Sequence, residues 1–390
     1  MTEAVLLSAC RTAIGTARKG ALREVSAFDL ATVVVREAAQ RSGLPPETID
    51  DVVLGESLAG GGDIARYAAL EAGLTHVPGL ALNRHCASGL ASVASAAASV
   101  RAGMDRAVIA GGTQSTSTAP VMRRRIPGTD DWQDPWSSPS HVSTPNAPHD
   151  DMSILVGWNT ARLLGISREE MDAWALRSHE RAVRAVDEGR FAGEIIPVKV
   201  VGRDGSASVF DVDEHPRRDT SMAKLAALKA LHPEIEGFSI TAGNSSGVND
   251  GAAAVLVADA ALAAERGLTP LATIRSWASV GVDPVETGLA PIRAIRKALD
   301  RAGLDVADVD VFEVNEAFAA VAVATTHELG LDPERVNPFG SGCSLGHPIA
   351  TTGARMVTTL AHELRRRGGG AAVAAMCAGG GMGAALVLTA

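Results

Sequence analysis

One cysteine, Cys86, stands in "LNRHCASGL" (residues 82–90), followed by residues too small to crowd it. A thiol just ahead of a helix faces the positive end of the helix dipole, which favours the thiolate and hence a nucleophile. A buried cysteine that only fills space explains the same position. Three further stretches, all in the last fifth of the 390 residues, carry groups such a thiol could work with. "GSGCSLGHPIATTGAR" (340–355) holds His347 between a glycine-rich turn and a helix. An imidazole immobilised there could act as a base on a thiol, though a turn histidine can equally be structural. "CAGGGMG" (377–383) sets Cys377 before three glycines. Their bare backbone N–H groups suit an oxyanion hole, and the same run reads as a tight turn between strands. "NEAFA" (315–319) puts Asn315 at a strand-to-helix junction, able to orient water or to cap the helix.

These groups need elements to hold them. "AVLLSA" reads as a first strand, and "SAFDLATVVVREAAQRSG" as a helix with a serine cap and a glycine stop. "DDVVLGE", a helix over 63–73, "GLALN", the small-residue helix "CASGLASVASAAASVRAG" and the strand "RAVIAGG" continue a β-α alternation. Between Thr113 and Thr241 the alternation breaks. The stretch from Met122 to Asp151 is rich in Pro, Ser, Asp and Trp and reads as an ordered loop. "SREEMDAWALRSHERAVRAVDEGR" then reads as a helix whose Ser167 and Glu170 fit a capping box. Alternation resumes to the end of the chain. "DRAVIAGGTQ" echoes "AAVAAMCAGGGMG", and "IDDVVLGE" echoes "VADVDVFEVNE". The expectation is a duplicated α/β unit with a loop domain inserted in the first copy. Its divisions are 1–116, an inserted 117–240, 241–265 and 266–390.

Composition narrows the function classes. Hydrophobic residues make up 46% and charged residues 21%, enough apolar material for packed cores. A net charge of −9 disfavours a nucleic-acid partner. No leader-like segment and no run of about 20 apolar residues is present, so a cytoplasmic protein without a membrane span is expected. Cys10, Cys86, Cys343 and Cys377 are too sparse for a disulfide scaffold and form no C-x-x-C pair, so reduced thiols are expected.

Taken together, the ordered motifs resemble the thiolase family, the acyl-CoA acetyltransferases, essentially end to end. "RTAIG" at 11–15, "CASG", "DEHPRRDTSMAKLAALK", "TAGNSSGVNDGAAA", "NEAFA", "LGHP" with "TGAR", and "CAGGGMG" carry the resemblance. It implies a duplicated, layered α-β-α-β-α fold with an inserted loop domain that helps bind coenzyme A. It also implies cleavage of 3-oxoacyl-CoA by coenzyme A, or condensation of acyl-CoA with acetyl-CoA, through an acyl thioester on Cys86. His347 takes the thiol proton and Cys377 is the second acid/base. His347 with a water held by Asn315 forms one oxyanion site; the N–H groups of Cys86 and Gly379 form another. Arg217, Ser246 and Phe318 fall near coenzyme A, which is a substrate; no metal or other cofactor is implied. A homodimer or homotetramer is implied as well, with "GLALNRHCASGLAS" at the interface. Degradative and biosynthetic use both remain open.

Several positions depart from the resemblance. The run after the first glycine pair is "GGTQSTS", with Gln114 and Thr116 where a Met-Glu-containing run is common. "MSILVGWN" puts Met152 and Ser153 where a His-Met pair is usual and Trp158 where a Glu is. Thr287 stands where short-chain enzymes often carry Met, and the 121–150 loop is unfamiliar. The expectation is retained chemistry with an acyl specificity other than that of a plain acetoacetyl-CoA thiolase. The rival readings are a ketosynthase-like condensing enzyme, a non-catalytic thiolase-like binding protein, and a Cys/His metal site or hydrolase. A condensing enzyme of the first kind typically uses two histidines where Asn315 and Cys377 stand here. Ligand spacing for the metal site is absent.

Overall fold

The computed structural model describes residues 2–59 and 61–390. The first unit runs β1 (Ala4–Thr12), α1 (Ala27–Arg41), β2 (Asp51–Gly55), α2 (Ile64–Glu71), β3 (Gly79–Leu82), α3 (Ser88–Ala102) and β4 (Ala107–Ser115). After an insertion containing α4 (Arg168–Asp187), β5 (Asn249–Asp259) completes it. The second runs β6 (Ala272–Gly281), α5 (Ala290–Ala302), β7 (Val311–Val314), α6 (Ala319–Leu329), an extended residue at Val336, α7 (Thr352–Arg367), β8 (Ala371–Ala378) and β9 (Met382–Thr389). Local signals explain the boundaries. Ser26 caps α1 in a reciprocal box with Asp29, Ser167 caps α4 with Glu170, and Gly103, Gly303, Gly330 and Gly368 end α3, α5, α6 and α7 in the left-handed conformation.

Strand order exposes the duplication. The first unit pairs as β3-β2-β4-β5-β1 and the second as Val336-β7-β8-β9-β6. In both, the first two pairings are parallel and the last two antiparallel. The units join edge to edge where β1 meets β6, at Val5 opposite Thr273 and Leu6 opposite Ala272. In the first unit the insertion occupies the link from β4 to β5; in the second that link is the glycine turn from β8 to β9.

Helices α3 and α7 lie in the middle, packed on each other and on the inner faces of both units. α1 and α2 cover the outer face of the first unit, and α5 and α6 that of the second. The result is the α-β-α-β-α layering, in which the two central helices form the shared middle layer. Their spacing demands small residues. A Cβ on Gly89 would come within 2.7 Å of the Ala350 carbonyl oxygen, and one on Gly353 within 2.3 Å of the Leu90 nitrogen.

The insertion packs on the outside of the second unit, its Leu155, Val156 and Met171 sharing a core with Ile295 and Val321. It is tied to β1 by Arg11, which is fully buried and pairs with Glu194 at 2.6 Å and Asp213 at 2.7 Å. Two stretches differ from the sequence reading. Residues 121–150 contain a short hairpin, Arg124–Arg125 against Trp132–Gln133, whose two-residue strands are too brief to show an alternating pattern. The run "SILVGW" is a π-helical turn, Ser153–Trp158, continuing into Asn159–Leu164, its start held by Asp151 accepting from the backbone N–H of Ser153 and Ile154. Among the described residues no helix is long and apolar enough to cross a membrane.

Candidate active site

The close approach of α3 and α7 brings together the segments that precede them. Cys86 lies two residues before α3, and His347 five residues before α7. They face one cavity of about 230 Å3, which Cys377, Gly379, Ser246 and Phe318 also line. Cys377 arrives at the end of β8, Gly379 in the turn that follows, and Phe318 at the start of α6. Ser246 is placed by its backbone N–H donating to the Ala317 carbonyl at 2.9 Å. Asn315 sits behind the lining, fully buried, its amide nitrogen 3.5 Å from His347 Nδ1. It does not cap α6, which begins four residues later with Phe318 at the cap position.

His347 is fixed at both ends. Its backbone N–H donates to Asn249 Oδ1 at 3.0 Å. The preceding Gly346 has φ +101, and a Cβ there would lie 2.5 Å from Asn249 Cγ, so only glycine fits. On the ring, Nδ1 is 2.7 Å from the Thr352 hydroxyl, which itself donates to the Pro348 carbonyl at 2.9 Å. The hydroxyl therefore has its lone pairs for Nδ1–H, and this bond outweighs the longer one to Asn315. The tautomer so selected leaves Nε2 as a bare acceptor, and Nε2 and Asn315 Oδ1 are both buried without a partner among the described residues. Thr352 is a residue the sequence reading missed; its only signal was a hydroxyl one helical cap beyond the histidine.

Burial sets the protonation states. It pushes the Cys86 thiol up to about 11, although the N–H groups of Gly379 and of Cys86 itself act the other way. Removal from water thus works against the thiolate that a position ahead of a helix favours. Burial, and then the neighbouring Cys86, push Cys377 higher still. Burial, and then the Arg355 charge, push His347 down to about 3. All three groups are uncharged near neutral pH. Arg355 itself is paired with buried Glu313.

The remaining residues of note divide between this cavity and other places. Exposed Arg217 lines a second cavity with His179, His215, Lys224 and Cys343, its backbone N–H donating to His179 Nδ1 at 3.1 Å. Cys343 is buried there, its N–H on Glu316 Oε2, and does not reach Cys86's cavity. Cys10 is core, its thiol 3.7 Å from the Val34 carbonyl. Thr116, Met152 and Val156 line the main cavity. Thr287 does not: its hydroxyl accepts from the Gly381 N–H at 3.0 Å and braces the glycine turn. Trp158 turns away to stack on Phe238 at 5.3 Å. His85, with φ +47, packs against Gly379. Arg123 lies over Trp132 and Arg124 over Trp136 in the exposed hairpin.

A twofold-repeated layered fold that presents a thiol, an imidazole and a second thiol to one cavity ahead of its central helices defines an acyl-transferring class, and the chain belongs to the thiolase family. The thiolase N-terminal domain matches residues 4–261 and the thiolase C-terminal domain residues 268–390. An acetyl-CoA acetyltransferase of Syntrophomonas wolfei is 42% identical, covering 100% of this chain and 99% of the relative. An Escherichia coli 3-oxoadipyl-CoA/3-oxo-5,6-dehydrosuberyl-CoA thiolase is also 42% identical over the same shares. The crystal structure of the Bacillus anthracis acetyl-CoA acetyltransferase superposes with a TM-score of 0.90 at 38% identity, covering 100% of this chain and 99% of that one. The fold is the thiolase fold, and the protein is an acyltransferase enzyme with thiolase activity.

Proposed function

We propose that the chain exchanges acyl groups between 3-oxoacyl-CoA and coenzyme A through an acyl thioester on Cys86. The observation that carries this is the His347 ring, held through Nδ1 with Nε2 bare, in the same cavity as two uncharged thiols. In thiolysis the Cys86 proton passes to His347 Nε2 as the sulfur attacks the 3-oxo carbon. The bond between C2 and C3 breaks, and the leaving acetyl-CoA carbanion takes the proton of Cys377. Coenzyme A then gives its thiol proton to the Cys377 thiolate and attacks the acyl-Cys86 carbonyl. Cys86 leaves as thiolate and recovers its proton from His347. A Cys377 thiol whose proton is held tightly suits the acid role in this direction.

The N–H groups of Cys86 and Gly379, which already act on the Cys86 sulfur, would receive the thioester oxygen. The unpaired His347 Nε2 and the Asn315 amide would serve the enolate oxygen, Asn315 through a water. Ser246 and Phe318 would flank the arm of coenzyme A, and the exposed guanidinium of Arg217 in the neighbouring cavity would meet its phosphates. Coenzyme A is a substrate, and the scheme uses no further cofactor. Intact-protein mass after mixing with a panel of acyl-CoAs tests the reading. An acyl adduct in the wild type and none in Cys86→Ala is expected; no adduct with any chain would favour a non-catalytic, thiolase-like protein instead.

A further inference from the structure

Away from the reacting groups, the cavity at Cys86 is walled by Val156, Ala317, Phe318, Ile349 and the thioether of Met152. Among the described lining residues there is no Lys, Arg, Asp or Glu; the titratable ones are Cys86, Cys377 and His347, the groups assigned to the reaction itself. The hydroxyl of Thr116 is already in hydrogen bonds, 3.3 Å from Gln114 Nε2 and 3.4 Å from the Asn249 carbonyl. Arg355, the guanidinium nearest His347 in the sequence, pairs with Glu313 through one of its nitrogens and does not line the cavity. A charge carried in on a substrate would lose its water and find no counter-charge, which is costly for a carboxylate. The volume, about 230 Å3, also falls below the roughly 300–1,000 Å3 of sites for larger ligands, so the acyl chain held there is short.

We propose that the acyl group taken by this chain is a short, uncharged aliphatic one, and that 3-oxoacyl-CoAs ending in a carboxylate are rejected. The proposal rests on the thiolase reading of the site. Sequence identity does not make this distinction, since the relatives named for acetyl-CoA and for 3-oxoadipyl-CoA are equally identical to this chain, at 42%. The lining makes it, through what it lacks.

The test is steady-state thiolysis by the purified wild-type protein of acetoacetyl-CoA, 3-oxohexanoyl-CoA and 3-oxoadipyl-CoA. The last two have the same six-carbon chain and differ in a terminal methyl against a terminal carboxylate. The expected kcat/KM for the better of the two uncharged substrates is at least 100-fold above that for 3-oxoadipyl-CoA. Comparable values, or a preference for 3-oxoadipyl-CoA, would overturn the proposal and leave the thiolase reading standing. Turnover of none of the three, with Cys86 still acylated by a longer or bulkier acyl-CoA, would overturn the proposal and leave the thiolase reading standing; no turnover and no adduct on Cys86 with any acyl-CoA would overturn both.

Discussion

Cys86 stands under two opposing influences, a helix N-terminus that favours its thiolate and an apolar cavity that favours its thiol. With the thiol pushed up to about 11, the thiolate fraction below that pH grows tenfold per unit. Alkylation of Cys86 by iodoacetamide, followed at that peptide by mass spectrometry, should therefore accelerate about tenfold per unit from pH 7 to pH 10 without levelling. A plateau by pH 8 would reveal a standing thiolate–imidazolium pair, contrary to a His347 pushed down to about 3. At this scale the sequence was informative about which side chains meet in the cavity, because Cys86, His347 and Cys377 each sit in a short motif. It was uninformative about what tunes them. Thr352 selects the His347 tautomer and Thr287 props the glycine turn. Both act through single hydroxyls whose neighbours are assigned only by folding.

α3 and α7 form the scaffold that sets Cys86 and His347 in one cavity, and they can approach only because Gly89 and Gly353 carry no side chain. In Gly89→Ala the added methyl would meet backbone atoms of Ala350 and Ala354 at 2.7 and 2.9 Å, which cannot swing aside as a side chain would. Overpacking of this kind costs about 1–3 kcal/mol. The urea midpoint should fall accordingly, and the rate of Cys86 acylation should fall with it as the His347 segment is displaced. An unchanged midpoint would mean that the helices can part without loss. Elements bounded by capping boxes and glycine stops, such as α1 and α4, were legible in the sequence. The extended residue at Val336 and the π-helical turn at Ser153–Trp158 were not. The first is a single ladder residue, and the second has a period that neither the helical nor the strand pattern matches.

Among the described residues, burial pushes four histidines down: His179 and His215, each to about 4, His347 to about 3, and half-buried His85 in the same direction. In the unfolded chain each titrates near 6.5, so the unfolded state binds more protons once the pH falls below that value. The stabilising contribution of His179, His215 and His347 is full above pH 6.5 and is lost progressively as the pH falls towards 4, by up to about 1.4 kcal/mol per unit for each. Calorimetry should show the Tm dropping from pH 7.5 to pH 5; a level or rising Tm would contradict the assignment. The doubled architecture was visible in the sequence only as faint echoes around the two glycine pairs, because equivalent strands preserve small apolar character rather than identity.

The repeat also divides the cavity between its halves. α3 precedes β4 in one unit as α7 precedes β8 in the other, so the segments ahead of them, one bearing Cys86 and the other His347, come from corresponding places in the two units. The first unit lends the cavity Cys86; the second lends His347, Cys377 and Gly379. Neither half owns a whole cavity, so a chain cut between the two units would part these groups even if each half kept its own sheet.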